Sequence, residues 1–238
     1  MYDKMAKRYN EIFPLNENAL EFIRNTIKVG NIIDMGCGTG SMANALYSKG
    51  FNVKGIDLEE NMIKIAKETY NENQKLEYMV GDISKKEVFS KMKYNGIISL
   101  GNTIPHLEKE NLIEFFSNCN RHLETEGTFI IQTLDYKYIL EERISALPII
   151  KRNGFEFKRN YLFIKDKILF ETQLIEKNKI VYKGSVELIP YTIQKIKEYL
   201  NSTGFEVKEY FSDYKTKRYS YGKLPLIIVA KKEKLIFK

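Results

Sequence analysis

The amino-acid sequence predicts an α/β fold: a doubly wound, mostly parallel sheet with a small antiparallel β insertion after the fifth strand. Three observations indicate this class. Over residues 1–134, short apolar runs alternate with segments whose apolar residues recur at helical spacing. One apolar run leads into closely spaced glycines and then a helix. After residue 134 the helical spacing gives way to β-rich runs separated by short turns.

The alternation of apolar runs and helical segments gives the bounds of each predicted strand and helix. Helices between successive strands imply right-handed crossovers and hence parallel strands. The predicted strands are 31–35, 51–57, 75–82, 94–100 and 127–134. The predicted helices are 16–29, 41–50, 58–72 and 109–124.

The pattern changes after strand five. Runs such as FEFKRNYLFI and KILFETQLI, joined by turns such as KDK and EKNK, are typical of an antiparallel meander. A helix and two strands follow, over 192–204, 205–211 and 224–232. We therefore predict an antiparallel β insertion over 135–190 and a core formed by 1–134 and 191–238.

Composition limits the class of protein. At 238 residues, 43% of them hydrophobic, the chain fits one domain with a full apolar core. No run approaches the ~18 apolar residues of a membrane span. The opening MYDKMAKRYNEIF lacks the apolar centre of a signal peptide, so we expect a cytoplasmic protein. The two cysteines form no disulfide framework or metal-ligand spacing, so we predict no metal.

The net charge of +7 raises the question of a nucleic-acid partner. The basic residues are mostly lysines that are spread along the chain and interleaved with glutamate and asparagine. This distribution is typical of a solvated surface, so we expect neither nucleic acid nor a membrane as a partner. A concentrated basic face beside a pocket would favour RNA instead.

The segment 32-IIDMGCGTG-40 carries the first functional signal. Its glycines, Gly36, Gly38 and Gly40, allow tight turns and let a ligand approach bare backbone. The spacing differs from the dinucleotide motif G-x-G-x-x-G, and the Lys-Ser/Thr of a phosphate-binding P-loop is missing. Asp34 adds a carboxylate beside the loop, which disfavours a phosphate and favours a cationic or amino-bearing ligand.

Acidic residues end three successive strands. They are Asp34, Asp57 and Asp82, and the carboxyl ends of parallel strands meet at the sheet edge where open α/β folds bind ligands. Asp57 follows the glycines at the distance at which a nucleoside-binding unit places its ribose-binding acid. The three together indicate a nucleoside-type cofactor site.

These motifs resemble those of the class I S-adenosylmethionine-dependent methyltransferases. DMGCGTG resembles their glycine-rich motif, GID their ribose-binding acidic motif, and VGDI their adenine-contacting segment. The resemblance covers 31–134 well and implies a seven-stranded Rossmann-like sheet with a reversed final hairpin. Met62 would pack on adenine or serve as an ordinary core residue. The implied cofactor-binding residues are Asp34, Gly36, Cys37, Gly38, Gly40, Asp57, Leu58, Met62, Asp82, Ile83, Leu100, Gly101 and Asn102.

The segment 97-IISLGNTIPHLEKE-110 would lie where the transferable methyl group points. It resembles the LGNS-x-x-HL segment of glycine/sarcosine N-methyltransferase-like enzymes and is similar to small amino-sugar N-methyltransferases. The resemblance implies that Asn102, Thr103 and His106 face the acceptor. His106 would take a proton from an amine, since imidazole titrates near neutrality. The alternative is a histidine that only packs at a helix start.

The N-terminal segment resembles the Y-D-x-x-A-x-x-Y-D opening of the same family, with Asn10 in place of the usual aspartate. It would close over the cofactor as a lid, with Tyr9, or else Tyr2, beside the methyl sulfonium. A loosely packed terminus is the alternative. We expect the insertion to cap the acceptor side; further candidates for the acceptor pocket are Arg152, Arg159, Arg218, Tyr219 and Tyr221.

We therefore predict a methyltransferase that uses S-adenosylmethionine, yields S-adenosylhomocysteine and methylates a small molecule at nitrogen. His106 and Tyr9 are the candidate catalytic residues. The acceptor, its methylated atom and the choice between monomer and homodimer stay open. The alternatives are an RNA methyltransferase and a cofactor-binding regulator without catalysis, because fold alone does not choose among functions.

Overall fold

Two β-sheets organise the structure, a computed structural model that describes residues 8–152 and 154–233. The strands are β1 Asn31–Met35, β2 Asn52–Asp57, β3 Leu76–Val80, β4 Tyr94–Ser99, β5 Leu123–Leu134, β6 Ala146–Arg152, β7 Phe155–Ile164, β8 Lys167–Glu176, β9 Lys179–Leu188, β10 Phe205–Phe211 and β11 Pro225–Lys232. The helices are α1 Tyr9–Ile12, α2 Glu17–Ile27, α3 Ser41–Ser48, α4 Glu60–Thr69, α5 Lys109–His122, α6 Tyr136–Glu141 and α7 Ile193–Ser202.

The larger sheet has seven strands in the order β3-β2-β1-β4-β5-β11-β10. Its first five strands are parallel, and β11 runs antiparallel to both of its neighbours. Helices cover both faces, so β1 is buried along most of its length, which explains its unbroken apolar run. The predicted doubly wound sheet with a reversed final hairpin is confirmed.

The smaller sheet follows β5 and contains β6, β7, β8 and β9 in that order, all antiparallel. This confirms the predicted antiparallel insertion. One element differs from the expectation: α6 lies within 135–190, where we predicted only strands. Asp135 starts this helix by accepting hydrogen bonds from the backbone N–H groups of Lys137 and Tyr138. Six residues are too few to establish a helical period in the sequence.

The segment before α2 packs on the insertion. Ile12 is 1% exposed and lies in an apolar cluster with Phe155, Phe157, Leu174 and Tyr182. Burying such a side chain contributes about 1.5–3 kcal/mol. The ion pair between Arg8 and Glu176 of β8 lies at the surface and adds little. Apolar packing therefore holds this segment in place. The candidate Tyr2 lies outside the described residues.

No helix within residues 8–152 and 154–233 is long and apolar enough to cross a membrane.

A buried hydrogen bond joins the insertion to the final hairpin. The hydroxyl of Tyr219 donates to Oδ2 of Asp135 at 2.7 Å, and Asp135 is fully buried. The hydroxyl of Tyr221 donates to exposed Glu142 at 3.1 Å. Both tyrosines were candidates for the acceptor pocket, and the structure gives them these partners instead.

We predict that Tyr219→Phe lowers the free energy of unfolding by about 1.5–3 kcal/mol, because a buried carboxylate oxygen loses its donor. Tyr221→Phe removes the same atom from an exposed contact and should leave the free energy of unfolding nearly unchanged. Urea unfolding followed by circular dichroism compares the two variants. Equal losses would contradict a special role for the buried bond.

Candidate active site

A cavity of about 550 Å³ lies at the carboxyl edge of the larger sheet. Its walls come from the ends of β1, β2, β3 and β4 and from the segment between Tyr9 and Ala19. The volume is within the range of ligand pockets in proteins. The predicted residues that line it are Asp34, Gly36, Cys37, Gly38, Asp57, Leu58, Met62, Asp82, Ile83, Leu100, Gly101, Thr103, Tyr9 and His106.

The carboxylate of Asp57 organises the glycine loop. Its Oδ2 accepts a hydrogen bond from the backbone N–H of Gly38 at 2.8 Å, and its Oδ1 accepts one from Glu59 at 3.0 Å. The backbone N–H groups of Gly36 and Cys37 donate to the carbonyl oxygen of Ile56 at 2.8 and 2.9 Å. The loop is therefore tied to the end of β2 before any ligand binds.

The side chain of Tyr9 explains the glycine at position 38. A Cβ atom on Gly38 would lie 3.2 Å from the ring of Tyr9, which is tighter than most real contacts. At position 36 a Cβ atom would lie 2.6 Å from Oγ1 of Thr103. The sequence predicts that these glycines make space for a ligand. In the structure, the space beside Gly38 and Gly36 is also occupied by the side chains of Tyr9 and Thr103.

Asp34 is the most deeply buried acid of the cavity, with 2% of its surface exposed. Burial, reinforced by the nearby charge of Asp57, raises the pKa of Asp34 to about 7. No lysine or arginine lines the cavity among residues 8–152 and 154–233. A ligand that brings its own positive charge would therefore stabilise the ionised carboxylate.

The other end of the cavity combines an apolar wall with one acid. Ile83 and Met62 are buried, and Leu58 exposes 69% of its surface at the rim. Oδ1 of Asp82 accepts hydrogen bonds from the backbone N–H and the hydroxyl of Ser84, at 2.9 and 2.8 Å. This end suits a planar apolar group that carries a polar edge.

Two predicted cofactor-binding residues do not line the cavity. Gly40 begins α3, and its carbonyl oxygen accepts a hydrogen bond from the hydroxyl of Tyr78 at 3.1 Å. Asn102 has a φ of 68° and turns toward the end of β5. Its Oδ1 accepts from the hydroxyl of Thr133 and the N–H of Leu134. Its side chain therefore joins two strand ends rather than facing the acceptor.

His106 lies at the end of a 3₁₀ turn, Ile104–His106, with its imidazole at the cavity. Enclosure by the protein lowers the pKa of His106 to about 4, against the opposing effect of the Glu59 charge. Burial also raises the pKa of the Tyr9 hydroxyl. At neutral pH the imidazole is neutral and the phenol keeps its proton. The second histidine, His122, stacks on the ring of Phe89 and does not line the cavity.

Other cavity residues carried no recognised signal in the sequence. Glu59 starts α4, and Tyr214 belongs to the loop between β10 and β11. Gln132 interrupts the apolar run of β5, and its Oε1 accepts a hydrogen bond from the N–H of Gly101 at 2.8 Å. The one sign of Gln132 in the sequence is that a polar residue stands in an otherwise apolar strand, which could have indicated a role at the cavity. Tyr214 lies in a loop without any local motif.

The insertion contributes no residue to the described cavity wall. The expectation that Arg152 and Arg159 line the pocket is wrong for the described structure, and Arg218 does not line it either. Arg152 is exposed, and Arg159 donates to the carbonyl oxygen of Pro148 at 2.9 Å. The physical reason is that Ile12 and Phe13 lie between the insertion and the cavity.

Comparison with known proteins finds a family match over the part of the chain that contains the glycine loop. Residues 32–127 match the family model described as a methyltransferase domain. The chain is 34% identical to the ubiquinone biosynthesis O-methyltransferase of Rickettsia conorii over 131 residues, which are 55% of this chain and 43% of that protein. It is 35% identical to the enzyme of the same name from Rickettsia felis over 175 residues, 71% of this chain and 62% of that protein. The chain thus spans less than two thirds of either relative.

Solved structures show the same fold over nearly the whole chain. A S-adenosylmethionine-dependent methyltransferase from Clostridium acetobutylicum superposes with a TM-score of 0.82 at 18% identity, covering 98% of this chain and 99% of that one. The sugar N-methyltransferase KedS8 from Streptoalloteichus superposes with a TM-score of 0.68 at 14% identity, covering 98% and 93%. The chain therefore has the fold of these solved methyltransferases over nearly its whole length, and residues 32–127 match a methyltransferase domain.

The cavity fits S-adenosylmethionine, the methyl donor of this class. The molecule carries an ammonium group, ribose hydroxyls and a planar adenine. The described wall offers a buried carboxyl at Asp34, a carboxylate at Asp57, and an apolar slot edged by Asp82. No group of three or more His, Cys, Asp or Glu residues suited to a metal ion occurs in the described part of the chain.

We predict that S-adenosylhomocysteine binds more tightly as pH rises from 6 to 7.5. Below its pKa of about 7, Asp34 is mostly protonated in the free protein and must lose its proton to pair with the ligand's ammonium group. At pH 6 binding should therefore release most of one proton, and the dissociation constant should fall up to about tenfold per pH unit before levelling off near the pKa of Asp34.

Isothermal titration calorimetry in buffers of different ionisation enthalpy measures this proton release. Asp34→Asn cannot ionise and serves as the control, with an affinity that does not change over this pH range. A pH-independent affinity of the wild-type protein would contradict the pairing of Asp34 with the ammonium group.

Proposed function

We propose that this chain transfers the methyl group of S-adenosylmethionine to a nitrogen atom of a small-molecule acceptor. The observation that carries the proposal is that one cavity contains the glycine loop, the three acids of the strand ends and an uncharged imidazole, His106. When bound, S-adenosylmethionine supplies an electrophilic methyl group on a positively charged sulfur. The residues of the chain would bind the cofactor and orient it, and they would exclude water from around the methyl group.

The cofactor would be held by the residues of three strand ends. We propose that Asp57 binds the ribose hydroxyls and that Asp34 pairs with the ammonium group. Asp82 would accept from the adenine amino group, while Leu58 and Met62 pack on the ring. Asp57 already holds the loop through Gly38, so little rearrangement would be needed on binding.

His106 would orient the acceptor amine. An imidazole of ordinary pKa lies about four units below an alkylammonium, and enclosure lowers the pKa of His106 further. Taking a proton from an ammonium would therefore cost more than about 5 kcal/mol. Accepting a hydrogen bond from an amine that is already neutral carries no such cost. Correct alignment of the nitrogen lone pair then supplies much of the rate enhancement.

Tyr9 and the insertion would close the acceptor side. The ring of Tyr9 lies against the glycine loop and would face a sulfonium, since aromatic faces attract cations. The insertion, 135–190, would act as the acceptor-side cap through its neighbours rather than by direct contact. It packs on Ile12, and the N–H of Ile189 donates to the carbonyl oxygen of Pro105 beside His106 at 2.8 Å.

Methylation at oxygen is the second candidate, because the relatives from Rickettsia are named O-methyltransferases. A hydroxyl acceptor needs a base that removes its proton, and a histidine with a pKa near 4 is poorly matched to that task. A neutral amine needs no base before it attacks. The proposal therefore favours nitrogen.

The function is tested with S-adenosylmethionine labelled in its methyl group. The protein is incubated with a cell extract that is then separated into small molecules, RNA and protein, and the labelled small molecule is analysed by mass spectrometry. We expect label on a nitrogen atom of a small molecule. Label in RNA, label on oxygen, or no transfer would each contradict the proposal.

We predict that His106→Ala lowers kcat for the labelled acceptor by about 100-fold, because the acceptor loses the partner that aligns it with the methyl group. Calorimetric binding of S-adenosylhomocysteine should be unchanged, since His106 lies on the acceptor side. His122→Ala alters the other histidine, which lies outside the cavity, and is the control with unchanged kcat. Unchanged turnover in His106→Ala would make His106 a packing residue.

A further inference from the structure

The loop between β10 and β11 brings a tyrosine to the cavity from the side opposite Asp82. Because β11 pairs antiparallel with β5, with Pro225 opposite Leu134, the loop before β11 lies at the carboxyl edge of the parallel strands. In the sheet, β11 and β10 lie on one side of β1, whereas β2 and β3 lie on the other side. Tyr214 of this loop lines the cavity. It therefore approaches Asp34, at the end of β1, from the side away from β2 and β3.

The protein fixes Tyr214 through the backbone of its loop and through its ring. Oδ1 of Asp213 accepts hydrogen bonds from the backbone N–H groups of Lys215 and Lys217, at 2.8 and 3.2 Å. The ring of Tyr214 packs edge-to-face on Phe22 of α2, with 5.7 Å between the ring centres. An aromatic contact of this kind orders the side chain without using its hydroxyl.

The ring of Tyr214 also limits the space beside Asp34. A second cavity, of about 410 Å³, lies between α2 and the final hairpin. Among the described residues, only Tyr214 lines both cavities. Its ring therefore separates them, and a ligand group that lies next to Asp34 meets Tyr214 where the larger cavity ends.

The hydroxyl of Tyr214 is available to a ligand as a hydrogen-bond donor. It makes no hydrogen bond in the part of the chain that the structure describes. Burial, with the charge of Asp34 adding to it, raises the pKa of Tyr214, so the phenol keeps its proton at neutral pH. Of the three acids at the strand ends, Asp34 is the one whose charge acts on Tyr214.

The amino-acid end of S-adenosylmethionine carries a carboxylate on the same carbon atom as its ammonium group. The proposed function pairs the ammonium group with Asp34 and assigns no partner to the carboxylate. Because the two groups share one carbon atom, the carboxylate would lie close to Asp34. A second negative charge there is unfavourable unless a donor binds it. A protonated phenol donates one hydrogen bond and adds no charge of its own.

We propose that the hydroxyl of Tyr214 donates a hydrogen bond to the carboxylate of S-adenosylmethionine, which makes Tyr214 a cofactor-binding residue. The proposal rests on the proposed function, from which it takes the pairing of Asp34 with the ammonium group. Tyr214 need not be the sole partner, since a carboxylate accepts several hydrogen bonds. A cofactor without the carboxylate would gain nothing from the hydroxyl.

The proposal is tested with two ligands that differ only in this group, S-adenosylmethionine and its decarboxylated form. Isothermal titration calorimetry at pH 7.5 measures both affinities for the wild-type protein and for Tyr214→Phe, which keeps the ring that packs on Phe22. The variant should bind S-adenosylmethionine about tenfold or more weakly, because a hydrogen bond to a charged group is lost. Its affinity for the decarboxylated form should change less than twofold. This difference isolates the contact between hydroxyl and carboxylate.

Tyr210→Phe is the matched control. Tyr210 belongs to the same hairpin but does not line the cavity, and its buried hydroxyl has no hydrogen-bond partner within residues 8–152 and 154–233. We expect Tyr210→Phe to bind both ligands with the affinities of the wild-type protein. A loss of S-adenosylmethionine affinity equal to that of Tyr214→Phe would contradict a specific role of Tyr214.

The remaining outcomes separate this proposal from the proposed function. Unchanged binding of S-adenosylmethionine by Tyr214→Phe, or an equal loss for both ligands, would overturn the role of Tyr214 and leave the proposed function standing. Failure of the wild-type protein to bind S-adenosylmethionine would overturn the proposed function and the role of Tyr214 with it.

Discussion

The cavity depends on the hydrogen bonds that the Asp57 carboxylate accepts from Gly38 and Glu59. These bonds tie the glycine loop after β1 to the start of α4 after β2, so two neighbouring strand ends become one rigid wall. Hydrogen bonds to a charged acceptor are among the stronger ones in proteins. The same carboxylate is the proposed ribose ligand. One residue would thus shape the loop and bind the cofactor, which leaves little freedom to replace it.

The second constraint is the short segment that closes the cavity. Tyr9 lies against the glycine loop, while Ile12 packs on Phe157 and its neighbours in the insertion. The hydroxyl of Thr39 donates to Oδ1 of Asn10, which joins this segment to the loop again. An amide at position 10 adds no charge to a region that already holds four acids. The insertion therefore affects the cavity through α1, without contributing a residue to the described wall.

Local sequence patterns predicted the features that follow from strand geometry. Asp34, Asp57 and Asp82 were placed in one cavity because parallel strands bring their carboxyl ends together. Asn102 was assigned to the same site, and that prediction was wrong, because its partners Thr133 and Leu134 lie about thirty residues away in sequence and only the folded sheet shows them. Tyr214 and the role of α1 depend on loop and inter-sheet packing, which no local period reveals. The cytoplasmic location stays a prediction, and the choice between monomer and homodimer stays open.

The most direct test of this account measures S-adenosylhomocysteine binding to the wild-type protein and to Asp57→Ala by isothermal titration calorimetry at pH 7.5. Circular dichroism of both proteins controls for folding. The account predicts one binding site per chain in the wild-type protein and no measurable binding in the variant, with the fold retained. Absence of binding to the wild-type protein, or equal affinity in the two proteins, would contradict the assignment of this cavity to the methyl donor.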